Sequence, residues 1–175
     1  YILDTNIILD SVENLLTLSD NGTNTLVIPE TVIDELDSKK VGFEDINFNA
    51  RQFARLLEDS VILENKVIAP LHLIKTSVES LGINLLIISK KDYECDLQTT
   101  APNILNDRKI LEAASDYINK VEPATLISLD IMFRTRALSL GLAAEALTGK
   151  SSEQPNEFHK YLKVDNVTSL NGLPI

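Results

Sequence analysis

Four acidic residues stand at the ends of apolar runs or beside them. Asp4 follows YIL, Glu35 lies in VIDELD, Asp107 lies in ILNDRKIL and Asp130 follows ISL. A carboxylate beside a buried stretch is costly unless it is paired, hydrogen-bonded or bound to metal. If the four meet, two carboxylates about 5 Å apart repel by roughly 3 kcal/mol at an effective dielectric near 20. A divalent cation relieves that repulsion. No cluster of cysteines or histidines accompanies these acids, so the donor set is all oxygen, which selects Mg²⁺ or Mn²⁺ over zinc. Such an ion activates a water and stabilises the leaving oxygen at a phosphodiester.

Each acid also has a structural alternative. Asp4 and Asp130 are in place to cap the helices that follow them. Glu35 could be a solvated helix residue, with Asp34 or Asp37 as the ligand in its stead. Asp107 could be a first-turn acid favoured by the helix dipole, with Asn106 as the cap. Thr5 and Asn6 are residues that cap and orient. Asn6, Arg51 and Arg134 are the candidate substrate contacts; Arg55 and Arg136 also carry the planar guanidinium fork that reads phosphate. Surface ion pairs are the bland alternative for each arginine. His72 and His159 have no partner pattern for a catalytic triad. TGKSS, at 148–152, lacks the first glycine of a phosphate-cradling loop, because Ala144 stands there.

The elements that must position these residues read as alternating strands and helices. Strands are expected over 1–4, 25–29, 83–89 and 124–130, with a short one over 142–147 and an edge strand over 160–167. Helices are expected over 8–18, 29–40, 46–60, 102–118 and 131–141. Residues 90–102 read as a loop. This order predicts a three-layer α/β/α domain with a central, mainly parallel sheet. Ligands in such sheets bind beyond the carboxyl ends of the strands, where Asp4 and Asp130 fall.

The totals set bounds. The chain has 175 residues, 44% of them hydrophobic, enough for one domain with a sizeable core. A net charge of −10 argues against a surface that coats nucleic acid broadly, though not against a small acidic site that holds cations. Cys95 is the single cysteine, so no internal disulfide forms, and a reducing, cytoplasmic location is expected. No membrane span or signal peptide is visible.

LDTN, IPETVIDELDSKK, FNARQFARLL, NDRKIL and SLDIMFRTRALSLG follow the order and approximate spacing of PIN domains. More narrowly, the chain resembles the PIN domain fused ahead of PhoH-type ATPase modules, including the Asn49-Ala50-Arg51 triplet. Leu129 stands where a polar residue often precedes the last acid in that group. The resemblance covers 1–147 and leaves 148–175 as a C-terminal extension. It implies a metal-dependent nuclease, an endoribonuclease on single-stranded RNA, with Asp4, Glu35, Asp107 and Asp130 as the metal-binding, catalytic acids. A PhoH-like ATPase module in cis or in trans, and a homo-oligomer, are the further partners it implies.

Three other readings share parts of this pattern. A haloacid-dehalogenase-type phosphatase needs a second acid two residues after the first, where this chain has Asn6. A toxin-like PIN nuclease is usually shorter. A catalytically silent PIN fold that binds RNA or protein is the alternative from a different functional class.

Overall fold

The computed structural model describes residues 1–95 and 101–147. The expected edge strand over 160–167, His159 and the rest of the extension lie outside the described residues.

The chain runs β1 (Ile2–Leu3), α1 (Thr5–Asp10), α2 (Glu13–Ser19), β2 (Leu26–Pro29), α3 (Glu30–Ser38), α4 (Asp45–Glu58), β3 (Val61–Ile68), β4 (Leu71–Val78), β5 (Ile83–Ser89), α5 (Pro102–Lys120), β6 (Leu126–Ile127), α6 (Ile131–Ser139) and β7 (Ala144–Glu145). The strands form one sheet in the order β3-β4-β5-β2-β1-β6-β7. All pairs from β5 to β7 are parallel, and β3-β4 and β4-β5 are antiparallel. Helices surround this sheet, so the three-layer, mainly parallel architecture expected from sequence is the one observed.

The parallel strands are short apolar runs because both of their faces are covered. Ile2, Leu3, Leu26, Ile28 and Leu126 are fully buried. Of the helices, α4 contributes Ala50, Phe53 and Leu56 to the core, a helical stripe. Asn49 on the same helix donates to the carbonyls of Leu9 (2.7 Å) and Asp10 (3.3 Å), tying α4 to the end of α1. Arg51 donates Nη1 to the carbonyls of Lys40 (2.7 Å) and Gly42 (2.9 Å). The triplet Asn49-Ala50-Arg51 thus joins one helix to a neighbouring helix, the core and a loop.

Two departures from the sequence reading stand out. The helix expected over 8–18 is two helices that begin at Thr5. Ser11 is extended (φ −169°) and its hydroxyl accepts from Glu13 N (3.1 Å), which starts α2 afresh. The second departure is the hairpin β3–β4, to which no strand was assigned. It adds two antiparallel strands to the parallel sheet at β5.

After β5, Lys90 places its ammonium 2.6 Å from both Glu112 and Asp116 on α5. Glu112 also accepts from Glu94 N (2.9 Å). These contacts fasten the segment after β5 to the helix that carries Asp107. No described helix is long and apolar enough to cross a membrane.

Candidate functional site

β1 lies between β2 and β6, so the chain's path through the sheet reverses there, and the carboxyl ends of the strands border a crevice. Asp4 ends β1 and Asp130 follows β6. Glu35 comes from α3, which leaves β2 directly, and Asp107 comes from the second turn of α5.

Asp4 is buried at 6% exposure and caps α1. Its Oδ1 accepts from Thr5 N (2.8 Å) and its Oδ2 from the Ser128 hydroxyl (2.7 Å). Burial is the main cause that raises its pKa, to about 6. Ser128 and Thr5 oppose that shift, and the negative charges of Asp107 and Glu35 add to it. Asp107 is half-buried and is also raised. Burial is again the largest cause; Arg136 opposes it, and Asp130 and Glu35 add to it. Arg136 Nη1 sits 2.9 Å from Asp107 Oδ2.

Glu35 is held from two sides, by the Thr5 hydroxyl on Oε1 and by Asn106 Nδ2 on Oε2 (3.2 Å). Asn106 therefore anchors Glu35 and does not cap α5, whose cap position is Ala101. Of the other acids on α3, Asp34 is exposed and Asp37 pairs with Lys40 (2.9 Å). Asp130 is exposed and caps α6, its Oδ1 accepting from Met132 N (2.9 Å).

Ser128 ties the centre together, and sequence reading passed over it. Besides donating to Asp4, its oxygen accepts from Asp130 N (3.0 Å) and from Asn6 Nδ2 (3.3 Å). Asn6 Oδ1 in turn accepts from Leu129 N (3.1 Å), and Arg134 Nη1 donates to the Ser128 carbonyl (2.7 Å). Of the candidate substrate contacts, Asn6 and Arg134 bond the backbone of the turn before Asp130, and Arg51 bonds the loop between α3 and α4. The one visible hint of Ser128 was its place two residues before Asp130.

The fields of all four acids thus link in pairs: Asp4 with Glu35 and Asp107, and Asp107 with Glu35 and Asp130. As their side chains lie, no three of the described His, Cys, Asp or Glu residues converge enough to hold an ion. Arg136 occupies Asp107, and Thr5 and Asn106 occupy Glu35. The donor chemistry, oxygen only and mutually repelling, nevertheless fits a hard divalent cation.

An α/β domain with acids at the carboxyl ends of its central strands is the outline of a known class of nuclease. The chain belongs to the PIN domain family, whose model matches residues 1–148. Among curated proteins it is similar to the protein named "Protein PhoH2" from Bacillus subtilis, with 29% identity over 83% of this chain and 32% of that protein. It is also similar to the proteins of the same name from Mycolicibacterium smegmatis (28%) and Thermobispora bispora (26%), each over 83% of this chain and 31% of the relative. The chain thus spans about a third of the length of these relatives. Among solved structures, a domain of a functionally unknown protein from Methanocaldococcus jannaschii aligns with a TM-score of 0.52 at 17% identity. That alignment covers 83% of this chain and 88% of that one, a likeness of fold.

Proposed function

We propose that the chain is a divalent-metal-dependent endoribonuclease that hydrolyses phosphodiester bonds in single-stranded RNA, with Asp4, Glu35, Asp107 and Asp130 as its metal-binding, catalytic acids. The observation that carries this reading is the bridging of acids from separate elements at the carboxyl ends of the central strands: Thr5 bonds both Asp4 and Glu35, and Ser128 bonds both Asp4 and the backbone of Asp130. Mg²⁺ or Mn²⁺, when bound, supplies a Lewis acid that lowers the pKa of a water and offsets charge on the phosphate. The chain's own part is to hold the acids. Ser128 and Thr5 fix the Asp4 carboxylate at the end of a buried strand, a rigid mount. Thr5 and Asn106 orient Glu35. Arg136 pairs with one oxygen of Asp107 and offsets its charge, which weakens that carboxylate's hold on a cation while the pair stands. Asn6 and Arg134 brace the turn before Asp130, within reach of a strand laid over the site.

The similarity to PhoH2 proteins, about three times as long, supports action beside a PhoH-like ATPase module in cis or trans; a cytoplasmic location and a homo-oligomer are proposed with it.

The test is cleavage of a labelled, unstructured RNA and of the matching DNA with Mg²⁺, Mn²⁺ or EDTA. It runs beside Asp4→Asn and Asp130→Asn and with melting curves in each buffer. Metal-dependent cutting of RNA that both variants abolish, together with a rise in melting temperature on adding metal, is the expected result. A folded protein that cuts nothing and melts alike in metal and EDTA favours the second reading, a catalytically silent PIN-fold binding module. The engagement of Asp107 by Arg136 is the observation on that side.

A further inference from the structure

We propose that Phe43 is a stacking platform for a base of an unpaired nucleic-acid strand. This deepens the nuclease reading above, on which it rests for the identity of the strand. The loop between α3 and α4 leaves the helix that carries Glu35 and displays Val41 at 90% exposure and Phe43 with its side chain wholly exposed. An exposed apolar side chain on a slack loop would mean little, but this loop is held. Arg51 donates to two of its carbonyls. Asn47 donates to the Lys39 carbonyl (2.7 Å) and accepts from Glu44 N (3.1 Å). Gly42 has φ +139°, and a Cβ there would collide with the Asn47 amide, so the bend is specific to glycine.

Phe43 and Phe48 occupy the two positions, just before the α4 cap and four residues into the helix, where apolar side chains ordinarily close on each other. Here that contact is open. Phe43 is uncovered and Phe48 is half-exposed. A flat apolar face is therefore presented on a fixed loop, at the end of the helix that supplies one of the acids.

The partner follows from charge as well as shape. A chain of net charge −10 gains little from neutralising a phosphate backbone over its whole surface. Base stacking needs no net charge and tolerates any sequence. Lys39 and Lys40, both exposed, stand on the same loop as the aromatic, with Asp37 sharing Lys40 and the acids Glu44 and Asp45 following Phe43. An unpaired strand offers a base for Phe43 and a phosphate for this pair.

The chain contains no tryptophan, so Phe43→Trp installs a single fluorescent reporter on the loop. The experiment titrates this variant with oligouridylate and oligothymidylate in EDTA and measures anisotropy of a labelled strand with the wild type, Phe43→Tyr and Phe43→Ala. Quenched emission is expected, with affinity retained in Phe43→Tyr. Binding should fall about tenfold or more in Phe43→Ala, the loss of one stacked base. The absence of quenching, equal binding by Phe43→Ala, or blue-shifted emission from the free Phe43→Trp protein, as when the ring closes on Phe48, would overturn the proposal. Because no metal is present, a protein that quenches but does not cut refutes the nuclease and keeps the platform. One that cuts without quenching does the reverse.

Discussion

The sheet has two halves built on opposite plans. From β2 to β7 through β1 and β6, the strands are two to four residues long and parallel, and all but β7 are apolar and buried. From β3 to β5 they are seven or eight residues long and antiparallel, and seven of the eight residues of the edge strand β3 are exposed. β2, β1 and β6 need no length of their own, because helices pack around the sheet and each of the three pairs with a strand on both sides. Each has only to end at the right place, and two of these ends carry Asp4 and the Ser128–Asp130 turn. The hairpin is held chiefly by its own ladder, so its strands must be long. The proposed chemistry falls in the half that is short, where Ser128 and Thr5 fix the Asp4 carboxylate.

The sharpest way to break this comparison is by activity. Asp130→Asn should lower RNA cleavage by more than about a hundredfold, the scale of disturbing a metal site. Ile62→Thr, on the exposed face of β3, should leave it within about twofold. Equal losses would mean that the hairpin takes part in the reaction. Stability gives the second test. Ile2 is fully buried in β1, and Ile2→Ala should cost about 2–5 kcal/mol in urea unfolding. Ile62→Ala should stay within about 0.5 kcal/mol, as its side chain is 64% exposed.

Acidity sharpens the comparison further. Asp4 has its folded-state pKa raised from 3.8 to about 6, so the folded chain holds more protons than the unfolded one in between. Its contribution to stability is therefore most favourable below about pH 4 and declines as pH rises through 6. The decline amounts to about 2–3 kcal/mol. Asp4→Asn should flatten that slope, seen as a wild-type minus variant stability difference that falls by that amount between pH 4 and 7 in metal-free unfolding curves. The smallest effect is expected at Ser128. Ser128→Ala removes one of the two hydrogen bonds shown to Asp4 and should cost about 1–3 kcal/mol, and should move the titration of Asp4 upward, followed by NMR of its carboxyl carbon.

The same contrast explains what could be read from sequence. YILD, TLVIP, INLLIIS and ATLISLD were legible as strands because buried parallel strands are continuous apolar runs bounded by polar or turn residues. VILENKVI was not, because β3 shows no alternation. Its apolar residues come in blocks, and the pairing shifts register between Ile62 and Glu64. The identity of the four acids was read from their places beside apolar runs and from the family pattern. Their partners were out of reach, since Ser128 meets Asp4 across 124 positions and Asn106 meets Glu35 across 71. Such pairs follow from the topology of the finished sheet. Arg51 shows the opposite limit: its type fits phosphate recognition, yet its place on α4 turns it toward the carbonyls of Lys40 and Gly42.

The Ser128 hydroxyl carries a consequence that a count of lone pairs brings out. Its oxygen has two, and Asp130 N and Asn6 Nδ2 already fill them. The single hydroxyl proton is therefore committed to Asp4, and the bond cannot reverse its direction. A carboxylate offers about four lone-pair seats, and Ser128 and Thr5 take one on each oxygen of Asp4. One seat on each oxygen is left for a proton or for the proposed cation, and a proton taken there removes the charge that would attract the cation.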